Sequence, residues 1–207
     1  MVTTVDLEVD EVLKRADALE FRDRLGAALD DEAQRRENFY NDLRPGDRHE
    51  FINGETVLAS PQRWEHSELV EAIADAAKAA TRMSGDGRVK SEAMMTRLTR
   101  NDYHPDVCYW RQEVVDTFTP AQTVFPAPDF VVEVLSESTA HRDRGVKFED
   151  YAAHGVREYW IVDPDERTVE QYILDGNAYK LRRKLDAGVL KCEVIAGFEI
   201  DVASIFG

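Results

Sequence analysis

The stretch from Pro128 to Pro164 constrains the fold of this chain more than any other part of the sequence. It opens with Asp129-Phe-Val-Val-Glu-Val-Leu135, a β-branched and aromatic run that is typical of a central strand buried on both faces. A segment with helical spacing follows, and Glu158 to Val162 is a second apolar strand. We therefore predict an α/β (α+β) fold in which helices flank a mixed central sheet.

Glu133 interrupts the first of these strands. A buried carboxylate costs several kcal/mol unless it is paired or bound to a metal, so this residue indicates either a structural ion pair or a metal site. A second acidic strand favours the metal site, because Asp106 stands at the entry of His104-Pro-Asp-Val-Cys-Tyr-Trp110. If the two strands are neighbours, the two carboxylates converge. Mg²⁺ prefers such carboxylates together with phosphate oxygens.

The segment between the two apolar strands predicts a helix that packs on the sheet. Ser138 or Thr139 suits its N-cap, and the helical spacing continues to about His154. Gly155 suits a left-handed stop at the C-terminal end. We expect the inner surface of this helix to face the strand that carries the buried acid.

One face of this helix carries Asp143, Lys147 and Tyr151, which are four residues apart. If that face packs on the sheet, Lys147 reaches the two carboxylates; the alternative is an exposed lysine that pairs with Asp143. Arg142 and Arg144 add positive charge to the same helix. They either bind the phosphates of a nucleic acid or form a solvated helix face.

These elements resemble, in their order along the chain, the Uma2 family of restriction-endonuclease-like proteins within the PD-(D/E)xK phosphodiesterase superfamily. The resemblance spans roughly residues 46 to 207 and is specific because separated motifs follow one another in the family's order. The matching residues are Phe51-Ile-Asn-Gly-Glu55, the helix near His66, Pro105-Asp106-Val107, Pro128-Asp129 through Ser136, Lys147, Tyr151, Gly155-Val156 and Glu158 through Pro164.

The resemblance implies a restriction-endonuclease-like fold and an endonuclease that hydrolyses DNA with Mg²⁺, or alternatively Mn²⁺. Asp106 would be the acid of the first half-motif and Glu133 the acid of the second. The superfamily's lysine normally lies two residues after that second acid, where this chain has Leu135. Lys147 on the following helix would take its place. Glu92 would be an additional metal ligand.

The net charge of the chain favours an alternative to the nuclease function. The chain has 26 Lys plus Arg against 41 Asp plus Glu, a net charge of −15. Such acidity opposes non-specific attraction to DNA, which depends on neutralising phosphates. A local basic patch, Lys180, Arg182, Arg183 and Lys184, offsets it in one place. The alternative is a binding or assembly protein that keeps the nuclease fold with weak or no catalysis.

Residues 1–45 predict a helical N-terminal extension, and residues 46–207 the nuclease-like domain. Apolar residues recur from Val9 to Leu29 at roughly helical spacing. This stripe has no place in the expected nuclease core, so it docks either on the domain or on a second subunit. We favour the second subunit, which predicts a homodimer formed through these helices.

Other features bear on cofactors and compartment. The two cysteines and five histidines lack metal-ligand spacing, so a zinc site is not expected. No secretory, membrane-spanning or lipidation signal is evident, which predicts a cytoplasmic protein without a membrane partner. His66, near the start of a helix predicted from Trp64 to Met83, is interpreted as a cap or packing residue.

Overall fold

The computed structural model describes residues 4–44, 46–92 and 94–207 of the chain. The helices are α1 (Thr4–Leu13), α2 (Ala18–Asp42), α3 (Trp64–Ser84), α4 (Gln112–Val115), α5 (Ala140–Asp143), α6 (Val146–Ala153) and α7 (Val202–Ile205). The strands are β1 (Glu50–Ile52), β2 (Glu55–Val57), β3 (Gly87–Ser91), β4 (Met95–Arg97), β5 (Asp102–Tyr103), β6 (Val107–Arg111), β7 (Val124–Phe125), β8 (Phe130–Val134), β9 (Glu158–Asp163), β10 (Thr168–Asp175), β11 (Ala178–Leu185), β12 (Val189–Lys191) and β13 (Glu199–Asp201).

The central sheet has the strand order β11-β10-β9-β8-β6-β3. β8 and β9 run parallel and are joined through α5 and α6, whereas the other neighbouring pairs are antiparallel. One face of the sheet packs on α3, and the other packs on α6. The predicted mixed sheet with flanking helices is therefore confirmed.

The alternation of side chains along β8 places its acid next to α6. Successive side chains of a strand point to opposite faces of the sheet. Val132 and Val134 accordingly join the core beneath α3, while Val131 and Leu135 join the core that contains Tyr151 of α6. Glu133 lies between these last two, so its carboxylate is on the α6 side of the sheet.

A second sheet, of order β2-β1-β5-β4-β7, forms the wall beside the central sheet. Its β1–β2 hairpin turns at Asn53 and Gly54, whose φ angles are +50° and +85°. Positive φ at both central residues is what a tight hairpin turn of this kind needs, as the Asn-Gly pair predicts. Because β1 also pairs with β5, Glu50 lies near the chain segment that leads to Asp106.

The helix predicted from residue 138 or 139 to His154 is wrong at one point, because it is two helices. α5 ends at Asp143 and α6 begins at Val146. Gly145 between them has φ −117° and ψ −105°. A Cβ at Gly145 would lie only 2.7 Å from the carbonyl oxygen of His141, so the close approach of the two backbones requires glycine there. Gly155 has the predicted left-handed conformation, with φ +77°.

The C-terminal half of α2 packs on the domain. Phe39 forms a small core with Phe51 and Met95. The guanidinium of Arg36 binds the fully buried carboxylate of Asp102, with 2.6 Å between Nε and Oδ2. The domain boundary was predicted at residue 45, which lies outside the described residues. The C-terminal half of α2 and the domain, which lie on either side of this boundary, are in close contact.

The rest of the extension leaves apolar side chains in solvent. Leu13 and Leu19 are 69% and 70% exposed. Leu25 and Leu29 continue this exposed stripe along α2. Over the ranges that the structure describes, this stripe does not dock on the domain. The homodimer through these helices stays a prediction.

The C-terminal part is antiparallel, as predicted. β10 and β11 form a hairpin whose turn contains Gly176 at φ +65°, and β12 pairs with β13. Within the part of the chain covered by the structure, no helix is both long enough and apolar enough to cross a bilayer.

Candidate active site

A cleft of about 840 Å³ opens where β6 begins and β8 ends. The β1–β2 hairpin, the first turn of α3, the end of β3 and the helices α5 and α6 contribute to its walls. Its lining includes the ionisable residues Glu50, Glu92, Asp106, Glu133, Asp143 and Lys147. The structure thus brings together the three residues predicted to be catalytic and the additional metal ligand predicted from the family resemblance.

The sheet register brings Asp106 and Glu133 to the same end of neighbouring strands. Val107 of β6 pairs with Val132 of β8 in an antiparallel arrangement, so Asp106, which precedes Val107, lies opposite Glu133, which follows Val132. The backbone N–H of Val134 donates to Oδ2 of Asp106 over 2.8 Å. The two acidic residues are buried, with exposures of 8% and 3%.

Lys147 is buried among carboxylates. Its Nζ lies 3.1 Å from Oε1 of Glu133, 3.1 Å from Oε1 of Glu50 and 3.3 Å from Oδ1 of Asp143. The hydroxyl of Tyr151 also donates to Oε1 of Glu133, over 2.8 Å. The alternative of an exposed lysine is therefore wrong, although the predicted pair with Asp143 is present. α6 holds Lys147 beside the acid of β8.

Burial and charge set the protonation of this group. Burial raises the pKa of Glu133 well above its usual value, although the Lys147 charge opposes this shift. Burial likewise raises the pKa of Asp143. For Lys147, burial acts to lower the pKa, but the surrounding charges, with Glu133 the strongest and Glu50 next, raise it well above its usual value. Lys147 is thus an ammonium ion at neutral pH.

A second group of ligand-type side chains adjoins the first. One ligand atom from each of His66, Glu92 and Asp106 lies within 4.8 Å of the other two. Nε2 of His66 is 3.3 Å from Oδ2 of Asp106. Burial lowers the pKa of His66, but the hydrogen bond and charge of Asp106 outweigh it and raise the pKa. Since the N-cap of α3 is Arg63, the interpretation of His66 as a cap is wrong.

The backbone fixes Glu92 beside Asp106. Glu92 has φ +51°, a left-handed conformation that is uncommon for a residue other than glycine. Its N–H donates to the carbonyl oxygen of Asp106 over 3.0 Å. Nη1 of Arg48 lies 3.1 Å from Oε1 of Glu92. This carboxylate therefore faces the cleft between an acid and an arginine.

The arginines of the α5 region lie in different places. Arg142 lines the cleft, and its buried Nε has no hydrogen-bond partner among the residues in the structure. Arg144 instead binds Glu170 of β10, with 2.7 Å between Nη1 and Oε2. In the predicted basic patch on β11, Lys184 also pairs with Glu170. Arg142 is thus the residue of the two that faces a ligand space.

The chemistry of the lining fits a divalent cation. The carboxylates of Glu92, Asp106 and Glu133 offer oxygen ligands around one cleft, and hard cations prefer such ligands. Oε1 of Glu92 is buried and faces Nη1 of Arg48 at 3.1 Å, but makes no hydrogen bond within the described chain. A cation would balance the charge of these carboxylates.

Two residues of the cleft were missed by sequence reasoning. Glu50 contacts Lys147 from a different sheet, and a contact between segments so far apart leaves no local pattern. His66 did leave a signal. It lies three, four and seven residues before Leu69, Val70 and Ile73, so it is a polar residue on the buried face of α3. A titratable residue on such a face indicates a site as readily as packing.

Comparisons with known proteins agree with this architecture. The family model described as Uma2, putative restriction endonuclease, matches residues 32–203. A similar solved structure is a putative nuclease belonging to DUF820 from Anabaena variabilis, with a TM-score of 0.70 and 18% sequence identity. The superposition covers 82% of this chain and 96% of the Anabaena chain. No curated protein matches the sequence.

Proposed function

Because the chain belongs to the Uma2 family of restriction-endonuclease-like proteins, we propose that it is a divalent-metal-dependent endonuclease that hydrolyses phosphodiester bonds in DNA. The family match begins at residue 32, inside α2, so it includes the half of that helix that packs on the domain. The fold shared with the Anabaena protein is compatible with this activity.

The observation that carries the proposal is an excess of buried negative charge in the cleft. Glu133 and Asp143 are 3% and 1% exposed, and Asp106 is 8% exposed. Glu50 and Glu92 line the same space. These five carboxylates outnumber the two cations paired with them, Lys147 and Arg48, and a buried carboxylate without a counter-charge costs several kcal/mol. A bound cation relieves the imbalance.

We assign the metal to Asp106 and Glu133, with Glu92 as an additional ligand. All three residues line one cleft, and oxygen ligands of this kind suit Mg²⁺, with Mn²⁺ as the alternative. When bound, such a cation polarises the scissile phosphate and makes water a stronger nucleophile near neutral pH. The protein's part is to hold the ligands in place, as the N–H of Val134 does for Asp106.

Lys147 stabilises negative charge on the phosphate in the transition state. Its raised pKa makes it a proton donor in hydrogen bonds rather than a base. Glu50 and Asp143 hold the ammonium from two further directions. A positive group held in advance near the developing charge stabilises the transition state without reorganisation.

The cations at the rim of the cleft bind the DNA backbone in this proposal. Arg48, Arg63 and Arg142 line the cleft, and arginine suits the bidentate recognition of phosphate. Arg144 is bound to Glu170 and is left out of this set. Because the whole chain has a net charge of −15, we expect DNA binding to depend strongly on the metal and on salt.

A second function is favoured by two specific observations. The lysine comes from α6 instead of β8, and the chain is strongly acidic. A nuclease-fold protein without useful catalysis would show both features. In either case the exposed side chains of Leu13, Leu19, Leu25 and Leu29 support a homodimer through the N-terminal helices.

Incubation with DNA separates the two functions. Supercoiled plasmid and single-stranded DNA are treated with the full-length protein in Mg²⁺, in Mn²⁺ and in EDTA. The nuclease produces nicked, linear or shortened products only with a metal present. Intact DNA under every metal condition would favour the non-catalytic function.

A further inference from the structure

We propose that His66 is a direct ligand of the bound cation, through Nε2. The centre then adds the imidazole of His66 to the carboxylates of Asp106, Glu133 and Glu92, and this mixed set selects a first-row transition ion such as Mn²⁺ over Mg²⁺. This inference rests on the proposed metal dependence and deepens it, because it names a nitrogen ligand and the class of ion that follows from it.

Three separate elements meet to form this ligand set. His66 comes from the first turn of α3, Glu92 follows β3, and Asp106 precedes β6. One ligand atom from each lies within 4.8 Å of the other two. Atoms so close can share one ion after small side-chain movements, since ligand distances to such ions are near 2 Å and ligand–ligand distances about 3 Å.

The imidazole is placed as a ligand rather than as a surface group. His66 is 9% exposed, and its Nε2 points at Oδ2 of Asp106 over 3.3 Å. Nδ1 has no hydrogen-bond partner within the described ranges, so no protein acceptor holds the ring in another orientation. The N–H of Val134 keeps Asp106 in place.

The backbone conformation of Glu92 places its carboxylate near the other two proposed ligands. Its left-handed backbone, with φ +51°, is strained for a glutamate, and such strain persists where the surroundings over-determine it. The hydrogen bond from its N–H to the Asp106 carbonyl oxygen links the two ligand-bearing segments. Backbone strain and convergence with the other two ligands therefore coincide at Glu92.

The nitrogen ligand decides the class of ion. Mg²⁺ is bound by oxygen and keeps much of its water, whereas imidazole suits transition ions. Replacing an oxygen ligand by imidazole thus raises affinity for Mn²⁺ relative to Mg²⁺. A His66 that only hydrogen-bonds to Asp106 would confer no such preference.

Pulsed electron paramagnetic resonance of the Mn²⁺-loaded full-length protein tests the inference directly. A coordinated imidazole gives a ¹⁴N coupling on Mn²⁺, which we expect in the wild type and not in His66→Gln. His141→Gln, which changes an exposed histidine of α5 outside the cleft lining, should keep the coupling. We also expect the ratio of Mn²⁺ to Mg²⁺ affinity to fall at least about tenfold in His66→Gln.

Each outcome decides the inference. Mn²⁺ binding without ¹⁴N coupling in the wild type would overturn it, and so would coupling that persists in His66→Gln. If metal-dependent cleavage is observed in either case, the proposed function stands alone. A wild type that binds no Mn²⁺ would remove both. The wild-type spectrum needs no variant, and His66→Asn replaces His66→Gln if the latter does not fold.

Discussion

The ammonium of Lys147 contacts the carboxylate of Glu133, which lies 14 residues earlier in the chain, with 3.1 Å between Nζ and Oε1. In the usual motif of the PD-(D/E)xK superfamily, the lysine follows the acid by two residues on the same strand. Here that position is Leu135, which packs in the core beneath α6. The helix therefore supplies the cation that the strand lacks.

Removal of this lysine should affect catalysis and stability together. Lys147→Ala leaves Glu133, Glu50 and Asp143 buried without their shared cation. Breaking a buried ion pair in this way costs about 3–5 kcal/mol, and loss of a transition-state donor lowers the cleavage rate about 100-fold or more. Denaturant unfolding and plasmid cleavage measure the two effects.

The control for this change is Lys191→Ala, which removes a 75%-exposed lysine paired with Glu199. It should alter neither quantity measurably. Metal binding should survive in Lys147→Ala, because the carboxylates remain. An Lys147→Ala protein as stable as the wild type would contradict the buried charge balance.

The gain in stability from protonation of Glu133 should be larger in the same variant. The pKa of Glu133 is raised in the folded protein, so the folded state takes up this proton more readily than the unfolded state. In Lys147→Ala, where the opposing lysine charge is gone, stability should rise as the pH falls through the folded pKa of Glu133. Thermal unfolding between pH 8 and pH 5 measures it.

In the wild type, the raised pKa of Lys147 sets the dependence of stability on pH at the alkaline end. Its contribution is complete below the pKa of an unfolded lysine and is lost as the pH rises through the folded pKa. The wild type should therefore lose stability at strongly alkaline pH.

A Lys147→Ala protein whose stability falls between pH 8 and pH 5 more steeply than that of the wild type would refute this account of Glu133.

Arg142 and Arg144 should have separable effects. Arg142→Ala should weaken DNA binding and reduce the salt dependence by about one phosphate contact. Arg144→Ala should leave cleavage intact and lower stability at neutral pH. Burial raises the pKa of Glu170, but its hydrogen bonds, first that from Arg144, lower it to about 2.

The lowered pKa of Glu170 determines how its contribution to stability depends on pH. Its contribution to stability is present above the usual pKa of glutamate and is lost as the pH falls toward 2. Without Arg144 this contribution shrinks, so the stability difference from the wild type should close in acid. Binding by fluorescence anisotropy and acid titration of unfolding distinguish the two arginines. Equal loss of DNA binding in both would contradict the geometry.

Truncation should show where the domain begins. Deletion of residues 1–17 removes α1 and should leave the unfolding midpoint unchanged. Deletion of residues 1–45 removes Arg36 and Phe39, which leaves Asp102 buried without its ion-pair partner. We expect that loss to cost about 3–5 kcal/mol. A shorter protein that is as stable as the full chain would restore the boundary at residue 45.

The predictable part of this structure is the part that local patterns encode. The apolar run around Glu133 and the Asn53-Gly54 turn have the expected structure, since alternation and positive φ are local properties. The fourfold spacing correctly indicated that Asp143, Lys147 and Tyr151 lie together and are buried, although Asp143 belongs to α5 and the other two to α6. The sequence did not predict the helix break at Gly145, because a close contact with the His141 carbonyl oxygen leaves no periodic pattern.

The unpredictable part depends on contacts between distant segments. Glu50 meets Lys147 only because the second sheet packs beside the first. Arg144 binds Glu170 and not a ligand in the cleft, because β10 lies beside α5. Residue spacing along one helix cannot show which strand is its neighbour. His66 could have been recognised as a polar residue on an apolar face, but its partner Asp106 is 40 residues away. Sequence spacing thus predicted the helix face and not its neighbours.

The central claim is most directly tested by metal-dependent cleavage of supercoiled plasmid by the wild type, by Glu133→Gln and by Glu149→Gln. Glu149 is an exposed acid on α6 and serves as the matched control. We predict cleavage that requires Mg²⁺ or Mn²⁺ in the wild type and in Glu149→Gln, and a loss of about 100-fold or more in Glu133→Gln. Equal cleavage by Glu133→Gln and the wild type would contradict the assignment of this cleft as the active site.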